Sequence, residues 1–131
     1  MTNNHYKNTE GLLDAGKLQS IRELTEAGEE EDFLSSLIHM FFERTPQLLD
    51  EIQQGISQNN GKKLEFSAHA LKGTAGNIGA YPLMKVCEQL EERGRILDFS
   101  DVTELLSELE DIFTATADAL KEQLSQQGQS A

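Results

Sequence analysis

The stretch Ala68-His69-Ala70-Leu71-Lys72-Gly73-Thr74-Ala75-Gly76 carries most of the information in this chain. It sets one histidine in a segment that otherwise reads as leucine and alanine core, with glycines one and two turns further on. An α-helix turns about 100° per residue. With Leu64 at zero, Ala68, Leu71, Ala75 and Ile78 fall within about 40° of it and form a stripe for burial. On the same wheel His69 lies near 140°, Gly73 near 180° and Gly76 near 120°, all pointing away from the stripe. Lys72 sits on the flank, roughly 80° round and one turn from His69, and Glu65 lies at about 100°. Each glycine in a helix interior costs roughly 1 kcal/mol relative to alanine. Two such losses beside an outward imidazole predict a patch of bare helix, at Gly73 and Gly76, that a large partner can approach.

Outward from this helix, the pattern is helical throughout. Residues 1–11 are polar and are expected to fray. Asp14 can cap a short helix reaching about Ala27, with Leu18, Ile21 and Leu24 as its apolar side and Gly28 as its stop. Glu29–Asp32 bring negative charge to the start of a second helix, where the macrodipole favours it. That helix, about 30–58, carries the stripe Leu34, Leu37, Ile38, Phe41, Thr45, Leu48 and Ile52. Pro46 should kink it without ending it, because the stripe resumes in phase. Asn59-Asn60-Gly61 reads as a turn into the third helix, about 62–78, which Gly79 closes. Pro82 suits the first turn of a fourth helix burying Leu83, Val86, Cys87, Leu90 and Leu97, with Gly94 loosening its end. Ser100 or Asp101 caps a last helix to about Leu124, faced inward by residues from Val102 to Leu124, and a polar tail follows over 125–131. The expected fold is all-α. Residues 12–124 make an antiparallel up-down-up-down four-helix bundle, covered at one end by a short additional N-terminal helix.

Composition agrees. The 131 residues fit one domain with one core. There is no tryptophan, and two prolines and a scarcity of β-branched runs favour helix over sheet. Twenty-three acidic and eleven basic side chains give a formal charge of −12, a field that repels phosphate backbones and anionic lipid. Nucleic-acid and membrane-surface binding are therefore not expected. Between Gly61 and Cys87 the balance reverses, with Lys62, Lys63, Lys72 and Lys85 against Glu65, a net +3. That stretch could be a basic patch around His69 that faces an acidic partner or a phosphoryl group. One cysteine excludes an internal disulfide, no apolar run reaches transmembrane length and no secretory leader is evident, so a cytoplasmic, reducing setting is expected.

Most chemistries find no support. His5 falls in the polar start and His39 off its helix's stripe, neither with a metal-binding spacing, and Glu65 with His69 supplies only two of the ligands zinc needs. No Gly-x-Ser-x-Gly or phosphate-cradling loop occurs, and Cys87 falls on a core stripe. What remains is an exposed imidazole with a lysine one turn on. Imidazole is substantially unprotonated near neutral pH and can attack phosphorus, and a lysine can neutralise phosphoryl charge.

His69-Ala70-Leu71-Lys72-Gly73-Thr74-Ala75-Gly76, followed by Ile78-Gly79-Ala80, closely resembles the signature of histidine-containing phosphotransfer (HPt) domains. The resemblance extends over about residues 12–124 and takes in the Phe-rich second helix with Pro46 and the pair Leu90-Glu91. It implies a phosphocarrier, not an enzyme: His69 accepts a phosphoryl group from an aspartate of one receiver domain and yields it to another, Lys72 supports that group, and Gly73 gives access. It also implies a Gln or Glu on the neighbouring helix that holds the ring's other nitrogen, with Glu91 the first candidate and Glu88 the second. The receivers, those of a hybrid sensor kinase and of a response regulator, would supply the acidic pocket and its Mg²⁺, so the chain itself needs no cofactor. Phe42, Phe66, Tyr81 and Met84 are candidates for the receiver-docking surface. A monomer is expected, since four stripes fill one core. Two other readings stay open. One is a helical adaptor that binds receivers or kinases without accepting phosphate, and the other is a domain phosphorylated directly by an attached kinase.

Overall fold

The computed structural model describes residues 11–25 and 33–129, with side chains to 126. His5, Gly28 and the acidic run Glu29–Asp32 lie outside the described residues. All regular elements within them are helices: α1 (Ala15–Arg22), α2 (Phe33–Ser57), α3 (Gly61–Asn77), α4 (Tyr81–Ile96) and α5 (Val102–Gln129). Short turns link α2 to α5, and α2, α3, α4 and α5 pack in a ring, each on its two neighbours, with α1 against α2. This is the expected antiparallel bundle with its short N-terminal helix. The residues 36–129 lie within its four long helices and their turns.

The predicted stripes form the core. Leu34, Ile38, Phe41, Leu48 and Ile52 of α2 meet Leu64, Ala68, Leu71 and Ala75 of α3, Leu83, Val86, Cys87 and Leu90 of α4, and Leu105, Leu109, Ile112 and Leu120 of α5, all buried. Buried hydroxyls bond within their own helices: Thr45 Oγ1 donates to the Phe41 carbonyl at 2.6 Å and Thr116 Oγ1 to that of Ile112 at 2.7 Å. Helix α2 runs unbroken through Pro46. The core sets the rotation of α3. Turning that helix to bury His69 would expose Leu64 and Leu71, at about 2 kcal/mol each.

Several local expectations need correction. Asp14 caps α1 by accepting from the Lys17 amide at 2.7 Å, but the helix ends at Arg22, and Leu24 stands exposed in the turn beyond it instead of joining the apolar side. Leu97 does not join the α4 core. It terminates the helix in the left-handed conformation (φ 61°) with 69% exposure. Nor does the Asp101 carboxylate cap α5, because the guanidinium of Arg93 donates to both its oxygens at 2.8 and 2.9 Å, leaving only its carbonyl to accept from Leu105. Helix α5 continues through Gln129, so the segment expected as a loose tail beyond Leu124 extends the bundle's last helix.

The most informative correction concerns glycines. Gly94 is buried, and a Cβ there would lie 2.6 Å from the Gly61 carbonyl oxygen and 2.7 Å from the Glu65 amide nitrogen. A Cβ on Gly61 would reciprocally meet the Gly94 carbonyl at 2.6 Å. Gly94 therefore does not loosen a helix end. With Gly61 it lets α3 and α4 touch backbone to backbone, and Gly55 does the same for α2 against Leu64.

Candidate functional site

The close α3–α4 seam brings three sequence-predicted residues together. His69 stands on the outward face of α3 with 66% of its side chain exposed. Its Nδ1 lies 2.8 Å from Oε2 of Glu91, which reaches across from α4. Lys72, one turn along α3, donates from Nζ to the other oxygen, Oε1, at 2.7 Å. Glu91 thus bridges the histidine and the lysine while only 20% exposed itself. Partial burial pushes its carboxyl pKa up, but the hydrogen bonds from Lys72 and then His69, with the charge of both, outweigh that and hold it below the ordinary carboxylate range. The bond to Glu91 in turn raises the Lys72 ammonium above its usual value.

These contacts fix the ring's chemistry. An ionised carboxylate accepts hydrogen bonds and cannot donate, so in the neutral ring Nδ1 carries the proton and Nε2 the lone pair. Glu88, the alternative orienting acid, points elsewhere: it lines a groove between α4 and α5 with Lys85 and Glu108. The two glutamates lie three positions apart, and that small rotation puts one carboxylate on the α3 side of α4 and the other on the α5 side.

The two glycines of the signature part company. A Cβ on Gly73 would meet nothing within 4 Å, so the helix there is open to solvent. A Cβ on Gly76 would lie 3.1 Å from Sδ of Met84. Gly76 is therefore covered by an α4 side chain, and the bare patch shrinks to Gly73. That contact also occupies Met84, one of the docking candidates. Phe66 is exposed on the outward face of α3, and Tyr81 is partly exposed at the start of α4. Phe42 faces the α2–α5 seam, away from His69, edge-on to Phe41 and beneath the Lys121 ammonium at 6.0 Å. It borders an apolar stripe whose near neighbour is α5, and its ring fills that edge.

The lysine-rich stretch does not form one patch. Lys63 donates to Gln54 of α2 at 2.6 Å, Lys72 to Glu91, and Lys85 lines the α4–α5 groove, leaving Lys62 exposed on the outward face of α3. Cys87 is buried, and burial pushes its thiol up to about 12, which makes it a neutral packing group. His39 is exposed on α2. Among the described residues no cluster of three or more His, Cys, Asp or Glu side chains is placed to hold a metal, and no helix is long and apolar enough to cross a membrane.

The arrangement defines a helical module that presents a single tautomer-fixed imidazole on an open helix face. Residues 36–129 match the family of the Hpt domain, and the chain belongs to that family. Phosphorelay intermediate protein YPD1 of Candida albicans is 31% identical over 104 residues, covering 79% of this chain and 53% of that protein. Histidine-containing phosphotransfer protein 1 of Arabidopsis thaliana is 30% identical over 80 residues, 60% of this chain and 51% of its own. The chain therefore spans about half the length of these curated relatives. The crystal structure of histidine-containing phosphotransfer protein B from Pseudomonas aeruginosa PAO1 has the same fold, with a TM-score of 0.80 at 23% identity, covering 89% of this chain and 97% of that one.

Proposed function

We propose that His69 carries a phosphoryl group between aspartates of receiver domains, as the intermediate of a multistep phosphorelay in the cytoplasm. The observation that carries the reading is the pairing of Nδ1 with Glu91, which leaves the exposed Nε2 as the nucleophile. In the forward step the Nε2 lone pair forms a bond to phosphorus, the bond from phosphorus to the aspartyl oxygen breaks, and that aspartate leaves as a carboxylate. The ring becomes a phosphoimidazolium that still holds its proton on Nδ1, and Glu91 lies 2.8 Å away to stabilise the positive charge. The reverse step onto a second aspartate uses the same geometry. Phosphoryl transfer needs in-line approach and charge neutralisation, which the receiver supplies through its acidic pocket and Mg²⁺. The chain turns over nothing by itself, needs no cofactor and works as a monomer. Its partners are the receivers of a hybrid sensor kinase and of a response regulator.

Incubation with a phosphorylated receiver tests this. The expected product is one acid-labile, base-stable phosphate, which NMR coupling assigns to Nε2 of His69. A complex that forms with no transfer of label would replace the proposal with the adaptor reading, and label on Nδ1 would reverse the assigned role of Glu91.

Access is tested separately at Gly73. Gly73→Gln should stabilise the helix by about 0.5–1 kcal/mol, because it removes an interior glycine where nothing crowds the new side chain. The same change should slow transfer at least about tenfold by standing between the ring and the docked receiver. Urea unfolding and transfer rates read the two effects, and transfer at the parental rate would show that the open surface at Gly73 is not the approach path.

A further inference from the structure

On the far side of α4 from His69, the bundle carries a groove that the chemistry above leaves unused. Helices α4 and α5 part there around about 390 Å³ of open space. Val86 and Ile112 close its floor, and Lys85, Glu88, Gln89 and Glu108 stand as its walls. Among the described residues, no hydrogen bond or ion pair holds the side chains of Lys85, Gln89 or Glu108. The α5 wall continues as a row. Glu104, Glu108, Asp111, Asp118 and Glu122 are exposed and recur, with Ala115 between them, at alternating steps of four and three, so they share one face of the helix. From end to end the row runs about 27 Å along the groove. Like charges at this spacing weaken a helix, and none of these carboxylates has a cation within ion-pair reach among the described residues. A straight row of charge beside an apolar floor fits a straight counterpart. A helix laid along α4 and α5 puts its apolar stripe into the groove and sets cations at the same three-and-four spacing against the row. Lys85, the one cation on the walls, meets an acid at one end of that helix and so sets its direction. A second copy of this chain, at −12, brings the wrong sign.

We propose that the α4–α5 groove is a second docking surface, separate from the phosphoryl site, and that it takes a basic amphipathic helix of a partner protein. The groove opens on the α5 side of α4 and His69 stands on the α3 side, so the chain can hold that partner and a receiver together.

The test titrates the full ¹⁵N-labelled chain, at low salt, with a synthetic leucine–lysine helix of about 18 residues that carries its leucines in one stripe and its lysines on the flanks. A scrambled peptide of the same composition has the same charge and no apolar stripe. The striped peptide should shift the amide signals of Lys85, Gln89, Glu108 and Asp111 and leave those of Phe66 and Gly73 in place. It should bind at least about tenfold more tightly than the scrambled one, the apolar stripe being the difference between them. Two exposed sites then separate charge from shape. Glu108→Lys combined with Asp111→Lys should weaken binding at least about tenfold, and so should Gln89→Trp, which fills the groove at unchanged charge. His69→Gln should bind as the parent does. Equal binding of the scrambled peptide would reduce the effect to attraction by a chain of −12 and overturn the proposal. Shifts centred on the α2–α3 face, or full affinity in Gln89→Trp, would overturn it by placing the contact outside the groove. Phosphoryl uptake from a receiver should stay within about twofold when the peptide saturates the chain, and a peptide that blocks uptake would show that the two surfaces are not separate.

Discussion

Replacing His69 by glutamine should abolish phosphoryl uptake and leave the stability of the bundle unchanged. The loss should be at least about 10³-fold, the scale on which removing a nucleophile acts, because the amide of glutamine cannot attack phosphorus. The stability change should stay within about 0.5 kcal/mol, as for surface substitutions that disturb no core contact. His69 is 66% exposed and belongs to no core stripe, and its one side-chain bond is to Glu91. A glutamine amide can still donate to that carboxylate, so no partly buried acid is left unpaired. Label incorporation and urea unfolding on the same preparation separate the two statements. Uptake at the parental level would move the acceptor elsewhere, first to the exposed His39 on α2. Uptake lost together with cooperative unfolding would mean that the histidine is structural.

The sequence disclosed the parts of this site that periodicity controls. A stripe of Leu64, Ala68, Leu71 and Ala75 sets which way α3 faces, and once it faces the core, His69 and Gly73 must face away from it. Glu91 follows the buried Leu90 on α4, and the resemblance to the HPt signature, with periodicity beside it, singled it out. What the wheel of one helix cannot contain is the partner across the seam. Gly76 and Gly73 look alike on α3, and only the placement of Met84 on α4 separates a packing glycine from an open one. Nor does the wheel contain the ion pair that ties Lys72 to Glu91 of α4. Chain ends of helices were hidden for a related reason. Asp101 has the side chain of a cap, but the bidentate fork of Arg93 competes for the same oxygens and wins them with a charge. Gly94 did carry a readable signal. It follows Leu83, Cys87 and Leu90 in helical phase, so it belongs to the inward face, where a residue without a side chain marks a close approach and not a frayed end.

Gly94→Ala should destabilise the fold by about 2 kcal/mol and lower the midpoint of thermal unfolding by about 8 °C. The new methyl group would sit 2.6 Å from the Gly61 carbonyl oxygen and 2.7 Å from the Glu65 amide. Both are backbone atoms of α3, so no side chain can rotate aside and the helices themselves must separate. Overpacking of this kind costs about 1–3 kcal/mol, and the case here belongs at the upper end. The gain from replacing an interior glycine, about 1 kcal/mol, offsets part of it. Filling a helical glycine therefore acts with opposite sign at Gly94 and at Gly73, where space is open. The functional consequence follows from position. Gly94 is less than one turn from Glu91 on α4, and the Glu91 carboxylate reaches His69 across the same seam that closes at Gly61 and Gly94. Opening the seam there should weaken the Nδ1 contact and slow phosphoryl uptake about tenfold in the fraction that remains folded. Gly55→Ala supplies the comparison, since its Cβ would lie 2.8 Å from the Leu64 amide nitrogen, nearly as tight but at the α2–α3 contact. It should cost similar stability and leave the His69 tautomer as in the parent. Equal loss of uptake in both variants would mean that overall stability, and not the α3–α4 distance, governs the site, and a Gly94→Ala protein as stable as its parent would remove the seam from the argument altogether.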